Sequence, residues 1–360
     1  MKIFWDSYGI LRGPSGIFVH AQELRRALSE CGTEVSILGS HAVSNSTRNS
    51  IYQFARKSKV LGPQLNYLEF LGAIAGSTGQ GAIFHGLSNI NLPAWTGFRP
   101  PTDVRFVLTV HDLIPLLLER GAVSHALRIQ MKRLLPRALE RANAIVAVSE
   151  WTKKTLVDRY PSSTGKIVVI PNGFPAVDFP LRPARHSADQ IRVLMVGRNE
   201  KYKRYDLFFK ILLAANGGLR GTLVTTGVST VDKNIVDTLV AKNWLKLIKA
   251  PSKEALQEIY QANDVYLQTS LLEGFCLPAA EAQSSGIPVV FTKGSGIDEV
   301  VCPATGMGLE ASATAGAWLD AIRKTEDRFL TQGYALREWI MSRPTWKDSA
   351  LRLKNLYNSL

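Results

Sequence analysis

Residues 270–296 read S-L-L-E-G-F-C-L-P-A-A-E-A-Q-S-S-G-I-P-V-V-F-T-K-G-S-G, and this stretch decides the fold. The segment just before it, Val265-Tyr266-Leu267-Gln268-Thr269, is rich in β-forming residues. Glu273-Gly274-Phe275-Cys276 is a poor helix former, Pro278 suits the start of a helix, and Gly286-Ile287-Pro288 stops it before Val289-Val290-Phe291. The pattern predicts strand, loop, short helix and strand, with the loop at the carboxyl end of a strand, where open α/β sheets bind ligands. The first N–H groups of such a helix favour an anion. Glu273 and Glu281 flank that anion site, and a carboxylate cannot usefully touch a phosphate. Their place suits hydrogen bonds accepted from hydroxyls on either side. A phosphate cradle between two hydroxyl acceptors fits a nucleotide sugar.

Outward from this stretch the same alternation recurs. Ile191 to Gly197 is a strand opening a second array, with later strands near Gly221–Thr226, Trp244–Ile248 and Asp264–Thr269. Arg198 follows the first of these, and Lys203 lies five residues beyond it. Two cations at a strand's carboxyl end can neutralise a diphosphate, Arg as a fork of donors and Lys as a point charge. With Lys201 and Arg204 beside them, they read equally well as a solvated basic loop.

Towards the N-terminus, a strand to Tyr8, a Gly-rich loop to Gly16, a helix over Ile17–Cys31 and a strand over Glu34–Leu38 make a βαβ opening. That loop is a tight turn needing glycine or a phosphate contact. A helix is expected over Pro63–Ile74, and further strands over Ala82–Gly86, Arg105–Val110, Ala144–Ser149 and Lys166–Ile170. His111-Asp112 sits at the end of one of them. A histidine there can donate to a sugar hydroxyl or steady developing charge, or simply satisfy a turn. Pro175–Asp189, with three prolines, reads as a linker, and Thr345–Tyr357 as a terminal helix. Strand-helix alternation on both sides of the linker predicts two doubly wound α/β domains.

A chain of 360 residues is long for one core, which agrees with two domains. Its three cysteines, Cys31, Cys276 and Cys302, are scattered and fit neither a disulfide framework nor a zinc site. Asp6 ends the first apolar run too early for a signal peptide, and no stretch has the length of a membrane span. The expectation is a cytoplasmic protein, peripheral at most on the inner face of the membrane. The net charge of +13 is carried mostly by the half before residue 186, which calls for a polyanionic surface. No nucleic-acid recognition motif accompanies it. Over His125–Arg141, Arg128, Lys132, Arg133, Arg137 and Arg141 project to one side of a helix, and Leu127, Met131, Leu134, Leu135 and Ala138 to the other. Pro136 predicts a kinked helix or two short ones. The basic side suits an anionic membrane surface, or is simply a solvated face over a buried apolar one.

Glu273 to Glu281 resembles the E-x7-E motif of the family-4 retaining glycosyltransferases of the GT-B fold, usually E-G-F-G-L-P-x-x-E. Val146-Ala147-Val148-Ser149-Glu150-Trp151-Thr152-Lys153, Ile170-Pro171-Asn172-Gly173 and Ser295-Gly296-Ile297-Asp298-Glu299-Val300 resemble further landmarks of that family, in order along the chain. The resemblance implies a GT-B fold, two Rossmann-like domains facing an interdomain cleft. Residues 1–180 form the acceptor side, with 345–360 packing back on it, and 190–344 bind the nucleotide sugar. It assigns Glu273 to the donor sugar, Glu281 to the ribose, and Arg198 and Lys203 to the diphosphate. Gly16 approaches the diphosphate, Gly274, Phe275, Cys276 and Leu277 form the donor loop, and His111 lies near the donor sugar. Cys276 stands where the family has glycine, so a positive φ there would strain it.

The implied reaction is transfer of a hexosyl group from a nucleoside-diphosphate sugar to a hydroxyl acceptor, with retention. No nucleophile is identifiable from the residues themselves. The sequence has no D-x-D motif, and the two cations with a helix N-terminus can stabilise a departing diphosphate, so no cofactor and no metal is expected. His85–Pro93 with His111-Asp112-Leu113-Ile114-Pro115 looks most like mannosyl- or rhamnosyltransferases of surface polysaccharide synthesis. GDP-mannose is the first expected donor, a lipid-linked saccharide the expected acceptor, and an anionic membrane surface the expected partner, with no nucleic acid. A UDP-hexose donor with a soluble acceptor, a GT-B sugar-nucleotide epimerase and a non-catalytic nucleotide- or polyanion-binding protein are the alternatives.

Overall fold

A computed structural model of the chain describes residues 2–6, 15–38, 81–90, 103–119, 121–175, 190–228 and 232–360. The helix expected over 63–74, loop residues 9–14 and linker residues 176–189 lie outside the described residues. Two compact units result: Met1–Leu117 with Ser124–Gly173 and Trp346–Leu360, and Leu118–Val123 with Phe174–Thr345.

In chain order, the first unit holds β1 (Lys2–Trp5), α1 (Gly16–Glu30), β2 (Ser36–Ile37), β3 (Ala82–Gly86), β4 (Val104–Val110), α2 (Ile114–Leu117), α3 (His125–Arg141), β5 (Ala144–Ala147), α4 (Glu150–Arg159) and β6 (Ile167–Val169). The second holds β7 (Ile191–Gly197), α5 (Tyr205–Ala214), β8 (Leu219–Thr225), α6 (Lys233–Ala241), β9 (Leu245–Ile248), α7 (Lys253–Gln261), β10 (Val265–Gln268), α8 (Leu277–Ser284), β11 (Val289–Thr292), β12 (Met307–Leu309) and α9 (Ala315–Met341). The last helix, α10 (Trp346–Ser359), returns to the first unit.

The first sheet runs β2-β1-β3-β4-β5-β6 and is parallel throughout. Sheets covered on both faces need apolar runs, which is how Val104–Val110 reads. Along α1, Ala21, Leu24 and Leu28 are buried at helical spacing, and Ser15 caps it by accepting from the Phe18 N–H at 3.2 Å. The strand expected over Glu34–Leu38 is shorter, only Ser36–Ile37, an edge strand paired to β1 alone. α3 is one helix of 17 residues with Pro136 inside it, not two short ones. Its Met131, Leu135, Ala138 and Leu139 enter the core while Lys132, Arg133 and Arg137 are exposed.

α10 is tied down at several points. The Trp5 indole donates to the Tyr357 hydroxyl at 2.9 Å, Ser349 Oγ donates to the Pro171 carbonyl at 2.6 Å, and Lys354 Nζ to the Cys31 carbonyl at 2.7 Å. A Cβ on Gly173 would lie 2.2 Å from the Trp346 nitrogen, so glycine is obligatory there. The Ile170-Pro171-Asn172-Gly173 landmark is thus, in part, the seat of the terminal helix.

The second sheet, β12-β11-β10-β7-β8-β9, is also parallel throughout. The chain runs outward from β7 to β9, then crosses back so that β10 pairs with the other side of β7. The loops leaving β7 and β10 therefore separate to opposite faces at a topological switch point, the crevice where doubly wound sheets take ligands.

Candidate functional site

The two loops at that switch point carry most of the residues singled out in the sequence. Beyond β7, Arg198 is exposed. Tyr205, at the start of α5, fixes the strand end by donating its hydroxyl to the Gly197 carbonyl at 2.7 Å. Lys203 ends a short 3₁₀ turn, and Arg204 beyond it is left-handed at φ 55°. The β10 loop holds this turn, because Thr269 Oγ1 donates to the Lys203 carbonyl at 2.7 Å and the Leu271 N–H to the Tyr202 carbonyl at 2.9 Å.

That arrangement delivers Lys203 Nζ to Glu273 Oε1 at 2.6 Å. Burial disfavours the ammonium, but Glu273 first, then Tyr202 and Cys276, outweigh it and raise the lysine pKa above its ordinary range. Arg198 and Lys203, expected as a matched pair, differ in setting: one is exposed, and the other is enclosed and paired with a carboxylate.

Glu273 is held at its backbone too. Its N–H donates to Ser295 Oγ at 3.1 Å and its carbonyl accepts from the Gly296 N–H at 2.9 Å. A Cβ on Gly296 would fall 2.1 Å from the Gly274 carbonyl oxygen, so position 296 must be glycine for this turn to lie against the 273–277 loop. Asp298, which departs from the proline of the resembled segment, accepts from the N–H groups of Gly294 and Ser295 at 2.7 and 3.0 Å. With Ser295 it forms a capping box that rigidifies the turn by other means.

Cys276 precedes α8 with φ 77° and ψ 73°, a left-handed conformation in which a Cβ costs about 1–2 kcal/mol. The strain expected on replacing glycine is therefore present. Burial, and then Glu273, push its thiol pKa well up, so it stays a neutral packing group. Phe275 packs edge-on against Phe174, ring centroids 6.1 Å apart, and Leu277 is buried. In the first turn of α8, Pro278 has no N–H and the Ala279 N–H turns back to the Cys276 carbonyl at 3.1 Å. The loop amides that can face an anion are thereby narrowed to those at the 275–277 corner. One turn on, Glu281 Oε2 accepts from the Tyr260 hydroxyl at 2.8 Å, and Tyr260 is wholly buried on α7.

In the first unit, His111 leaves β4 with its backbone N–H bound to Asn89 Oδ1 at 2.9 Å and its carbonyl to Thr152 Oγ1 at 3.2 Å. Asn89 also takes the Asp112 carbonyl, at 2.7 Å, through its own amide N–H. Ser149 caps α4 and accepts from the Thr152 N–H at 3.0 Å, which explains the Ser149-to-Thr152 spacing of that landmark. The His111 Nε2–H is spent on the Leu87 carbonyl at 2.9 Å, so the neutral ring presents Nδ1, an acceptor rather than the donor first considered. Although part of its surface is exposed, burial, reinforced by His20, lowers the His111 pKa to about 3.

His20 meets His111 edge-to-face at 4.9 Å and is bound through Nδ1 to Asn172 Oδ1 at 2.7 Å; burial lowers its pKa to about 4. His85, bonded to Tyr357 and to Thr109 Oγ1 at 2.8 Å, is likewise kept neutral by burial, its pKa about 3. Among the described residues nothing lies within 4 Å of where a Cβ would stand on Gly16, the first position of α1.

Sequence reading missed His20, Asn89, Gln268, Tyr205 and Tyr260; His20, Asn89 and Tyr260 meet predicted residues from far along the chain, whereas Gln268 lies five residues from Glu273 and Tyr205 eight from Gly197. Asn89 had a signal, since it falls inside the His85–Pro93 stretch. Among the described residues no group of three or more His, Cys, Asp or Glu is placed to hold a metal, and no helix is long and apolar enough to cross a membrane.

Residues 14–176 match the model of Glycosyltransferase Family 4, and residues 181–328 that of Glycosyl transferases group 1. Among curated proteins, the chain is 22% identical over 246 residues to the phosphatidylinositol N-acetylglucosaminyltransferase gpi3 subunit of Schizosaccharomyces pombe, covering 64% of this chain and 52% of that protein. It is 25% identical over 279 residues to the D-inositol 3-phosphate glycosyltransferase of Corynebacterium aurimucosum, covering 71% and 66%. It is 26% identical over 219 residues to O-antigen chain mannosyltransferase B of Escherichia coli, covering 57% of each. The chain thus spans between half and two thirds of these relatives. Among solved structures, sucrose-phosphate synthase from Thermosynechococcus elongatus superposes with a TM-score of 0.76 at 19% identity, covering 100% of this chain and 98% of that one. Anabaena HepE in complex with UDP-glucose gives 0.73 at 16%, covering 100% of both. Two parallel sheets, the loops at their carboxyl ends and matches on both sides of the linker agree, and the chain belongs to the family-4 glycosyltransferases of the GT-B fold.

Proposed function

We propose that this glycosyltransferase moves a mannosyl group from GDP-mannose to a hydroxyl of a lipid-linked saccharide, retaining anomeric configuration and needing no metal. The observation that carries donor binding is the Lys203–Glu273 pair at the switch point, beside the start of α8. In the second unit, Lys203, Arg198 and the 275–277 amides take the diphosphate, Glu273 accepts from the sugar and Glu281 from the ribose. In the first unit, the neutral His111 offers Nδ1 as an acceptor for a hydroxyl. As the diphosphate departs, its growing charge meets positive partners already in place. Retention follows from the resemblance of the Glu273-to-Glu281 motif.

Mannose is favoured by the likeness to the Escherichia coli mannosyltransferase, and a UDP-hexose is the second reading, favoured by the likeness to a UDP-glucose-bound fold. Turnover of GDP-mannose and UDP-glucose, each in EDTA, tests both points. The expected result is consumption of GDP-mannose undiminished by chelator. Loss in EDTA with recovery in Mg²⁺ overturns the metal-free reading, and preference for UDP-glucose overturns the donor.

The exposed Lys132, Arg133 and Arg137 of α3 suit docking from the cytoplasmic side on an anionic membrane surface, each giving roughly 1 kcal/mol near it. Flotation should show binding to anionic vesicles and not to neutral ones, weakened by salt and by reversing these three charges. Indifference to both vesicle types at low salt points to a soluble acceptor.

A further inference from the structure

Gln268, the last residue of β10, is 1% exposed, and an amide this deeply buried needs partners for its oxygen and its N–H groups. Its Oε1 accepts from the Tyr266 hydroxyl at 2.6 Å. Its Nε2 donates to Ser270 Oγ at 2.6 Å and to Glu273 Oε1, the same oxygen that takes Lys203. The amide orientation is fixed by chemistry. Turned over, it would set its carbonyl oxygen against a carboxylate oxygen, where only a donor is tolerated.

One oxygen of Glu273 therefore carries two donors, an ammonium and an amide. Oε2 takes no partner among the described residues and is not sealed from solvent. Without Gln268, Lys203 alone would hold the carboxylate, and a single flexible contact lets it swing and offer either oxygen. With it, the plane of the carboxylate is set by two directions, with Ser295 fixing the backbone behind.

We infer that Gln268, clamped by Tyr266, is a positioning residue that fixes the Glu273 carboxylate so that Oε2 alone faces the donor sugar. This rests on the assignment of Glu273 to that sugar. The pair is bonded to Glu273, Ser270 and the Val196 carbonyl and is not assigned to nucleotide or diphosphate, so its removal is expected to act on the reacting geometry and not on nucleotide affinity. A misplacement of about 1 Å at such a group lowers turnover by up to about 10²-fold.

The test is steady-state turnover of GDP-mannose and UDP-glucose by Gln268→Leu, Tyr266→Phe and Glu273→Gln, with calorimetric titration of each by GDP and UDP. Gln268→Leu leaves Tyr266 the Val196 carbonyl, 3.3 Å away, as an acceptor. Its kcat is expected to fall at least tenfold, with nucleotide Kd and unfolding midpoint close to wild type. Tyr266→Phe removes the anchor on the amide oxygen while Glu273 still selects the donor side, and is expected to show the same split, less severely. A fall in affinity matching the fall in kcat, or full activity in Gln268→Leu, overturns the inference. If Glu273→Gln is fully active, the reading of Glu273 itself fails. If Glu273→Gln is inactive while Gln268→Leu is not, only the positioning role fails.

Discussion

Lys203→Met is expected to lower kcat/KM by about 10²–10³-fold and to destabilise the second unit by about 3–5 kcal/mol. Both effects come from one ion pair. The two side chains are only 15% and 10% exposed, so removing the ammonium leaves a mostly buried carboxylate without its charge partner. The Gln268 amide remains on the same oxygen, but one neutral donor does not replace a full charge. Stability and activity are separable here. Lys203→Met with Glu273→Gln removes both charges and is expected to recover most of the lost stability while staying inactive. Chemical denaturation of the single and double variants, beside donor turnover, checks this. A single variant that unfolds at the wild-type midpoint and keeps a tenth of the activity would refute the account.

Glu281→Ala should weaken nucleoside-diphosphate binding by about 1.5–3 kcal/mol, roughly 10–150-fold, the range for hydrogen bonds to a charged group. The buried Tyr260 hydroxyl would also lose its 2.8 Å acceptor, while the Pro278 carbonyl stays 3.3 Å away. Glu281→Gln distinguishes the two consequences. Its amide oxygen still accepts from Tyr260, so the protein should stay as stable as wild type while the charge-assisted bonds to ribose are lost. Calorimetry with GDP and UDP reads the affinities, and thermal unfolding reads the core. Wild-type affinity in both variants would remove Glu281 from the nucleotide site.

Much of the fold was legible because parallel sheets write themselves as apolar runs such as Val104–Val110 and Ile191–Gly197. The donor loop was legible because a poor helix former, a proline and a stop lie within one short window. What sequence left obscure was decided by partners far along the chain. Lys203 read as easily as one of several solvated cations until its loop was seen tied to Thr269 and Leu271. Gln268 is the exception, since its partners Tyr266, Ser270 and Glu273 are near in sequence, but it looked like one more strand residue because the turn that brings Glu273 back over its amide has no pattern of its own. The edge strand was overestimated because Glu34 and Val35 fit a strand pattern, whereas pairing to β1 extends only over Ser36–Ile37. Pro136 pointed to a break in α3 that the packing of Met131 and Leu135 on one side of it and Ala138 and Leu139 on the other does not allow.

The return of α10 sets the order in which this protein can be made. Trp5 and His85 find their buried partner in Tyr357, and Pro171 and Cys31 give their carbonyls to Ser349 and Lys354. A ribosome emitting roughly 5–20 residues per second presents β1 long before it presents α10. The second unit's contiguous run, Phe174–Thr345, emerges complete in between. The half that is synthesised first therefore cannot complete its Trp5–Tyr357 and His85–Tyr357 contacts until α10 arrives.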